Sequence, residues 1–80
     1  MEQNDLQRAI MAILFAAGEP VSAARMAETL QVDPEEIHRE SRALMDMLSF
    51  ARSGIRIVRL EDAYQMCSSG EMSEYVTKTL

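Results

Sequence analysis

The chain has no tryptophan, one cysteine, one histidine, one lysine, two prolines and three glycines among eighty residues. Each scarcity closes off a class of function. A lone thiol, Cys67, builds no disulfide framework, which fits a reducing cytoplasm. One cysteine and one histidine cannot assemble a tetrahedral zinc site within a chain. The glycines are dispersed at Gly18, Gly54 and Gly70, so no glycine-rich loop exists to cradle a phosphate. Neither metal nor organic cofactor is expected. Cations are scarce too: eight Lys plus Arg against thirteen Asp plus Glu give a net charge of −5. Such a surface repels phosphate at long range, which disfavours unaided nucleic-acid binding. The longest uninterrupted apolar run, Ala9 to Ala17, is nine residues, too short to span a bilayer. No basic region with a cleavage site precedes it, so it does not read as a signal peptide.

What is present is globular. Apolar residues make up 48% and charged ones 26%, outside the disordered range. A chain of this length forms one small domain and buries only about 60–65% of its unfolded surface, so a partner would supplement a thin core.

The punctuation is short and regular. A first helix is predicted from about Asp5 to Ala17, with Asn4 as N-cap and Gly18 as a left-handed stop. Glu19-Pro20-Val21 is extended, because the residue before a proline avoids helical dihedrals. Ser22 caps a second helix, Ala23 to about Leu30. Asp33-Pro34-Glu35-Glu36 then supplies an N-cap, a proline at the first helical position and an acid at the third. That third helix runs to about Phe50 or Arg52, and Gly54 ends it. Beyond it the period changes. Ile55 to Leu60 is rich in β-branched residues, Glu61-Asp62 is a two-residue turn, and Ala63 to Cys67 returns as the second strand of a hairpin. Ser68-Ser69-Gly70 breaks the strand, and Ser73 to Leu80 forms a short last helix. A hairpin alone is marginal, so it must pack on the helices. Three helices, a two-stranded wing and a short C-terminal helix describe a winged helix-turn-helix, mainly α, with the second and third helices as the helix-turn-helix pair.

The same residues resemble a known family. Ala9-Ile10 through Leu14-Phe15-Ala16, followed by Gly18-Glu19-Pro20-Val21-Ser22, is similar to the opening of segregation and condensation protein B, ScpB. Val32-Asp33, Gly54-Ile55, Tyr64-Gln65-Met66 and Glu74-Tyr75-Val76 continue the match in order over nearly the whole chain. There are departures: Glu61-Asp62-Ala63 replaces a glycine-containing turn, and Cys67-Ser68-Ser69-Gly70 stands where basic residues and proline are frequent. The resemblance implies the N-terminal half of a longer two-domain protein. It further implies a homodimerising, non-enzymatic accessory subunit that binds the kleisin ScpA and through it the SMC ATPase. The role is chromosome condensation and segregation, in the cytoplasm and associated with the nucleoid.

The third helix argues against reading DNA. In a DNA-binding helix-turn-helix its first turns meet base edges. Here those turns carry Asp33, Glu35 and Glu36, with Glu40 following, and only Arg39 and Arg42 to offset them. The acids suit the partial positive charge of a helix N-terminus, and the arginines read as a solvated pair bonding Glu35 or Asp46. Arg56 and Arg59 on the wing have no interleaved aromatic for base stacking. Nor is there catalytic machinery. His38 reads as a surface histidine of the third helix, and Cys67 as a strand filler without a nearby base.

Surplus hydrophobicity is the informative residue pattern. Leu6, Ile10, Ile13 and Ala17 form one face of the first helix, with Leu14 at its edge, which leaves Met11 and Phe15 on the opposite side. Either the last helix and the Glu19–Ser22 segment cover that side, or it is an exposed patch marking a partner site. In the wing Ile55 and Ile57 share one face while Val58 and Leu60 occupy the other, so the strand is apolar on both. Among seven methionines, Met1 is the first residue and Met26, Met45 and Met66 fall at core positions, leaving Met11, Met47 and Met72 for the surface. Met11, Phe15, Val58 and Leu60 are therefore the candidate subunit-interface residues. The alternative reading, from a different class, is a winged-helix DNA-binding transcription regulator.

Overall fold

The computed structural model describes all residues, Met1–Leu80. Helix α1 spans Gln3–Ala17, strand β1 Val21–Ser22, α2 Ala23–Leu30, α3 Pro34–Phe50, β2 Ile55–Leu60 and β3 Ala63–Ser68; a 3-10 turn, Gly70–Met72, leads into α4, Ser73–Thr79. The winged helix-turn-helix is therefore present, with one addition. The sheet has three antiparallel strands in the order β1-β3-β2, not the two of a simple wing. Pro20 holds the approach to β1 extended, and Val21 pairs with Tyr64 and Ser22 with Ala63. The hairpin register places Ile57 opposite Met66 and Leu60 opposite Ala63.

The predicted helix starts and stops hold in part. Ser22 caps α2 by accepting the Arg25 N–H at 3.1 Å, and Gly18 ends α1 at φ 65°. Asp33 stands at the N-cap of α3, and the Glu36 carboxylate reaches back to the Asp33 N–H at 3.3 Å. Helix α1, however, begins at Gln3, with Glu2 rather than Asn4 at its N-cap. Gln3 and Gln7 are both hydrogen-bonded to Glu40 of α3, which ties the start of α1 to the third helix. Gly54 is not the left-handed residue after α3. Arg52 takes that conformation at φ 52°, and the Ser53 N–H closes the helix end on the Leu48 carbonyl at 3.0 Å. Glu61, at φ 58° in the hairpin turn, likewise occupies a conformation that favours glycine.

The core lies where α1, α2 and α3 meet the inner face of the sheet. Leu6, Ile10 and Leu14 come from α1, Ala23, Met26 and Ala27 from α2, Ile37 and Leu44 from α3, and Ile57 and Tyr64 from the hairpin. The buried stripe of α1 thus centres on Ile10 and Leu14. Ala17 is exposed and Ile13 only half-buried, which rotates the face from the one drawn from sequence. Helix α4 packs chiefly on the 3-10 turn before it and all its residues are exposed.

Candidate functional site

The structure places the four candidate interface residues on two elements. On α1, Phe15 is 79% exposed, so neither α4 nor the Glu19–Ser22 segment covers it. Met11, one turn earlier, is half-buried and packs against the core instead of facing water. On β2, Leu60 is 47% exposed and Val58 half-buried. Strand β2 is an edge of the sheet and β1, which follows α1, is the other edge. The residues therefore form two strips, Met11 with Phe15 and Val58 with Leu60. Sequence reasoning missed a further exposed aromatic, Phe50 at the end of α3, 93% exposed; Met47, one turn before it, is exposed as expected. The signal was available: both positions fall off the Ile37–Leu44 stripe on a helical wheel.

At the beginning of α3 the acids do not behave alike. Glu35 is exposed and Glu36 partly so, as acids at a helix N-terminus should be. Glu40 does not face phosphates at all. It is 2% exposed, and its Oε1 accepts the Gln7 side-chain amide at 2.8 Å and that of Gln3 at 3.2 Å, while Arg39 Nε donates to Oε2 at 3.3 Å. The carboxylate is capped by these side chains at the α1–α3 seam. Burial alone would raise its pKa, but the bonds from Gln7, Gln3 and Arg39 outweigh that and hold the carboxyl below its ordinary value. Arg39 also pairs with Glu36 at 3.6 Å, so its partners are Glu36 and Glu40, not Glu35.

His38 is not a free surface side chain. It is half-buried, with Nδ1 2.6 Å from the Tyr64 hydroxyl. The Arg59 guanidinium stands 5.8 Å above the Tyr64 ring. Cys67 is half-buried, and no three His, Cys, Asp or Glu side chains converge as a metal-binding group. No helix is long and apolar enough to cross a membrane.

Three helices with a hairpin packed against the third, acids at the start of that helix, and exposed apolar side chains on α1, α3 and β2 define a winged-helix domain. The chain belongs to the ScpB family: the family model described as segregation and condensation complex subunit ScpB matches residues 8–80. Segregation and condensation protein B of Lachnoclostridium phytofermentans is 36% identical over 78 residues, covering 98% of this chain and 41% of that protein. The protein of the same name from Caldanaerobacter subterraneus subsp. tengcongensis is 38% identical over 71 residues, covering 89% of this chain and 42% of its own. The chain thus spans about two fifths of the length of such relatives. Among solved structures, ScpB from Mycobacterium tuberculosis superposes with a TM-score of 0.93 at 22% identity, covering 99% of this chain and 49% of that one. A dimer of an ScpB N-terminal domain complexed with ScpA peptide superposes with a TM-score of 0.88 at 24% identity, covering 96% of each chain. These two structures share the fold.

Proposed function

We propose that the chain is the N-terminal, winged-helix half of a longer two-domain protein, a non-enzymatic accessory subunit of the bacterial SMC–kleisin complex. It acts in chromosome condensation and segregation, in the cytoplasm and in association with the nucleoid. The domain pairs with a second copy and, as a dimer, engages the kleisin ScpA and through it SMC. The family match over residues 8–80 carries this reading. It is supported by the dimeric, ScpA-peptide-bound state of the N-terminal domain with the same fold. It is supported also by the exposed apolar surface of Phe15 and Leu60, which a monomer leaves in water. In the proposed contact Phe15 and Leu60 lose their exposure, and Met11 and Val58 form the apolar floor beneath them.

Light scattering over a concentration series tests it. The expected mass is twice that of the chain, and Phe15→Ala, Val58→Asp and Leu60→Asp should each weaken the dimer, by about tenfold for the best-placed side chain. Titration of the dimer with an ScpA peptide should give saturable binding that depends little on salt. A strict monomer that also ignores ScpA would refute the proposal, and folded variants that all retain wild-type association would remove these four residues from the interface.

A further inference from the structure

A polar cleft lies between the exposed face of α3 and the hairpin turn. Glu35, His38, Arg39, Arg42, Arg59 and Asp62 line it, none of them apolar, around about 540 Å³ of open space. In a chain of net charge −5, three guanidinium groups here face two carboxylates. Their engagement differs. Arg39 is held by Glu36 and Glu40. Arg59 donates to the Glu61 carbonyl at 2.7 Å and stands 3.9 Å from Asp62, a distance that leaves most of its fork free. Arg42 has neither an ion pair nor a hydrogen bond to any side chain or carbonyl of the protein. It keeps five donors in a planar fork that matches a carboxylate.

The floor of the cleft fixes a further donor. Tyr64 is 1% exposed, and the only hydrogen-bond partner of its hydroxyl is His38 Nδ1, at 2.6 Å. If Nδ1 carried the imidazole proton, the phenol proton would be buried without an acceptor. The arrangement that satisfies both groups has Tyr64 O–H donating to Nδ1, which places the ring proton on Nε2. Burial raises the phenol's pKa; the charges of Arg59 and Arg42 oppose that rise and Asp62 adds to it, and the net is a hydroxyl held in its protonated, donating form. His38 lines the cleft, so its Nε2–H is a donor available to whatever enters.

We propose that this cleft binds a carboxylate side chain of an acidic peptide segment in a protein partner, with Arg42 gripping it in bidentate fashion, His38 Nε2–H as second donor and Arg59 supplying positive charge from the wing. A duplex nucleic acid fits less well. Its backbone carries a charge about every 1.7 Å of axis, so a phosphate on Arg42 would bring its neighbours against Glu35 and Asp62, which line the same cleft. A flexible peptide can seat one carboxylate and rotate the others out to solvent, which the stiff backbone of a duplex does not allow. The proposal does not depend on the dimer reading: Phe15 lies on another element, and Val58 and Leu60, although they flank Arg59 on β2, do not line the cleft.

The experiment is an NMR titration of the labelled chain with hexaglutamate, with hexaglutamine and a short duplex DNA as the other arms, at low and high salt. Hexaglutamate should move the Arg42 Nε–H and His38 Nε2–H resonances, and high salt should weaken the binding. Arg42→Gln, an exposed substitution outside the core, should weaken it by about fivefold or more. Tyr64→Phe keeps the ring in the core but removes the fixed tautomer. It should abolish the His38 Nε2–H shift and leave the Arg42 shift in place, a separation that a merely structural role for Tyr64 would not give. Absence of any shift, equal shifts from hexaglutamine, or unchanged affinity in Arg42→Gln would each overturn the proposal. Duplex DNA binding more tightly than hexaglutamate through the same resonances would overturn it in favour of phosphate.

Discussion

The buried carboxylate of Glu40 offers the sharpest test of how the domain is held together. Glu40→Ala removes the acceptor shared by Gln3, Gln7 and Arg39. Gln3 and Arg39 are exposed and turn to water, so their bonds count for little; the half-buried Gln7, at 2.8 Å, loses a charge-assisted bond. That bond and the vacated methylene volume together exceed the desolvation that the substitution relieves, for a net loss of about 2 kcal/mol. Against a total of about 4–12 kcal/mol for a chain of this size, the midpoint should fall by about 8–16 °C. Glu40→Gln should cost less, about 1 kcal/mol. Its amide oxygen can still accept from Gln3 and Gln7, which share Oε1, but the bond from the half-buried Gln7 loses its charged acceptor and the Arg39 bond to Oε2 is lost. Acid distinguishes the charge from the shape. The folded carboxyl titrates below its ordinary 4.5, so its contribution is complete above about that pH and disappears as pH falls through the folded value. Urea unfolding of wild type and Glu40→Gln across pH should therefore show a gap that is constant near neutrality and closes in strong acid. All other carboxylates cancel in that difference. A gap that stays constant into strong acid, or a Glu40→Ala cost under about half a kcal/mol, would show that the seam is held by apolar packing alone.

Two further substitutions should stabilise the chain, each measurable by thermal or urea unfolding. The Ser41 hydroxyl is buried without a hydrogen-bond partner, so Ser41→Ala should gain about 1 kcal/mol by removing an unsatisfied group. Glu61 holds φ 58° in the hairpin turn and uses only its backbone carbonyl to bind Arg59, so Glu61→Gly should gain about 1 kcal/mol and keep that bond.

Most of the fold was legible because each element carries its own local signal. Asp33-Pro34 marks a helix start, Gly18 a stop, and the change of period at Ile55 a strand, all without knowledge of the rest of the chain. The misses came where a distant residue decides. Two residues, Val21-Ser22, are too few to show a strand period, and only their pairing with Tyr64 and Ala63 makes them one. Helix α1 begins at Gln3, two residues before the predicted start, and Gln3 and Gln7 on it are hydrogen-bonded to Glu40, more than thirty residues away, a contact no local signal shows. By residue type Glu40 reads as a surface acid, although it sits three residues after Ile37 and four before Leu44, within the buried stripe. His38 and Tyr64 are 26 residues apart, and nothing in either neighbourhood announces the bond. The helical wheel put Phe15 off the core stripe, where it is, but put Met11 there too, and Met11 packs against the core because the buried face centres on Ile10 and Leu14.

The hairpin is fastened to the helices at two places. The Ala23 N–H donates to the Asp62 carbonyl at 2.8 Å, tying the turn to the start of α2, and Tyr64 is locked to His38 on α3. A wing tied in this way is ordered before any partner arrives. Whatever settles on Val58 and Leu60, or reaches Arg59 across the cleft from Arg42, meets side chains whose backbone has already given up its conformational entropy during folding. Association then draws that part of its free energy from contact without a deduction for ordering the hairpin, and modest surfaces can hold a partner that a floppy wing would release.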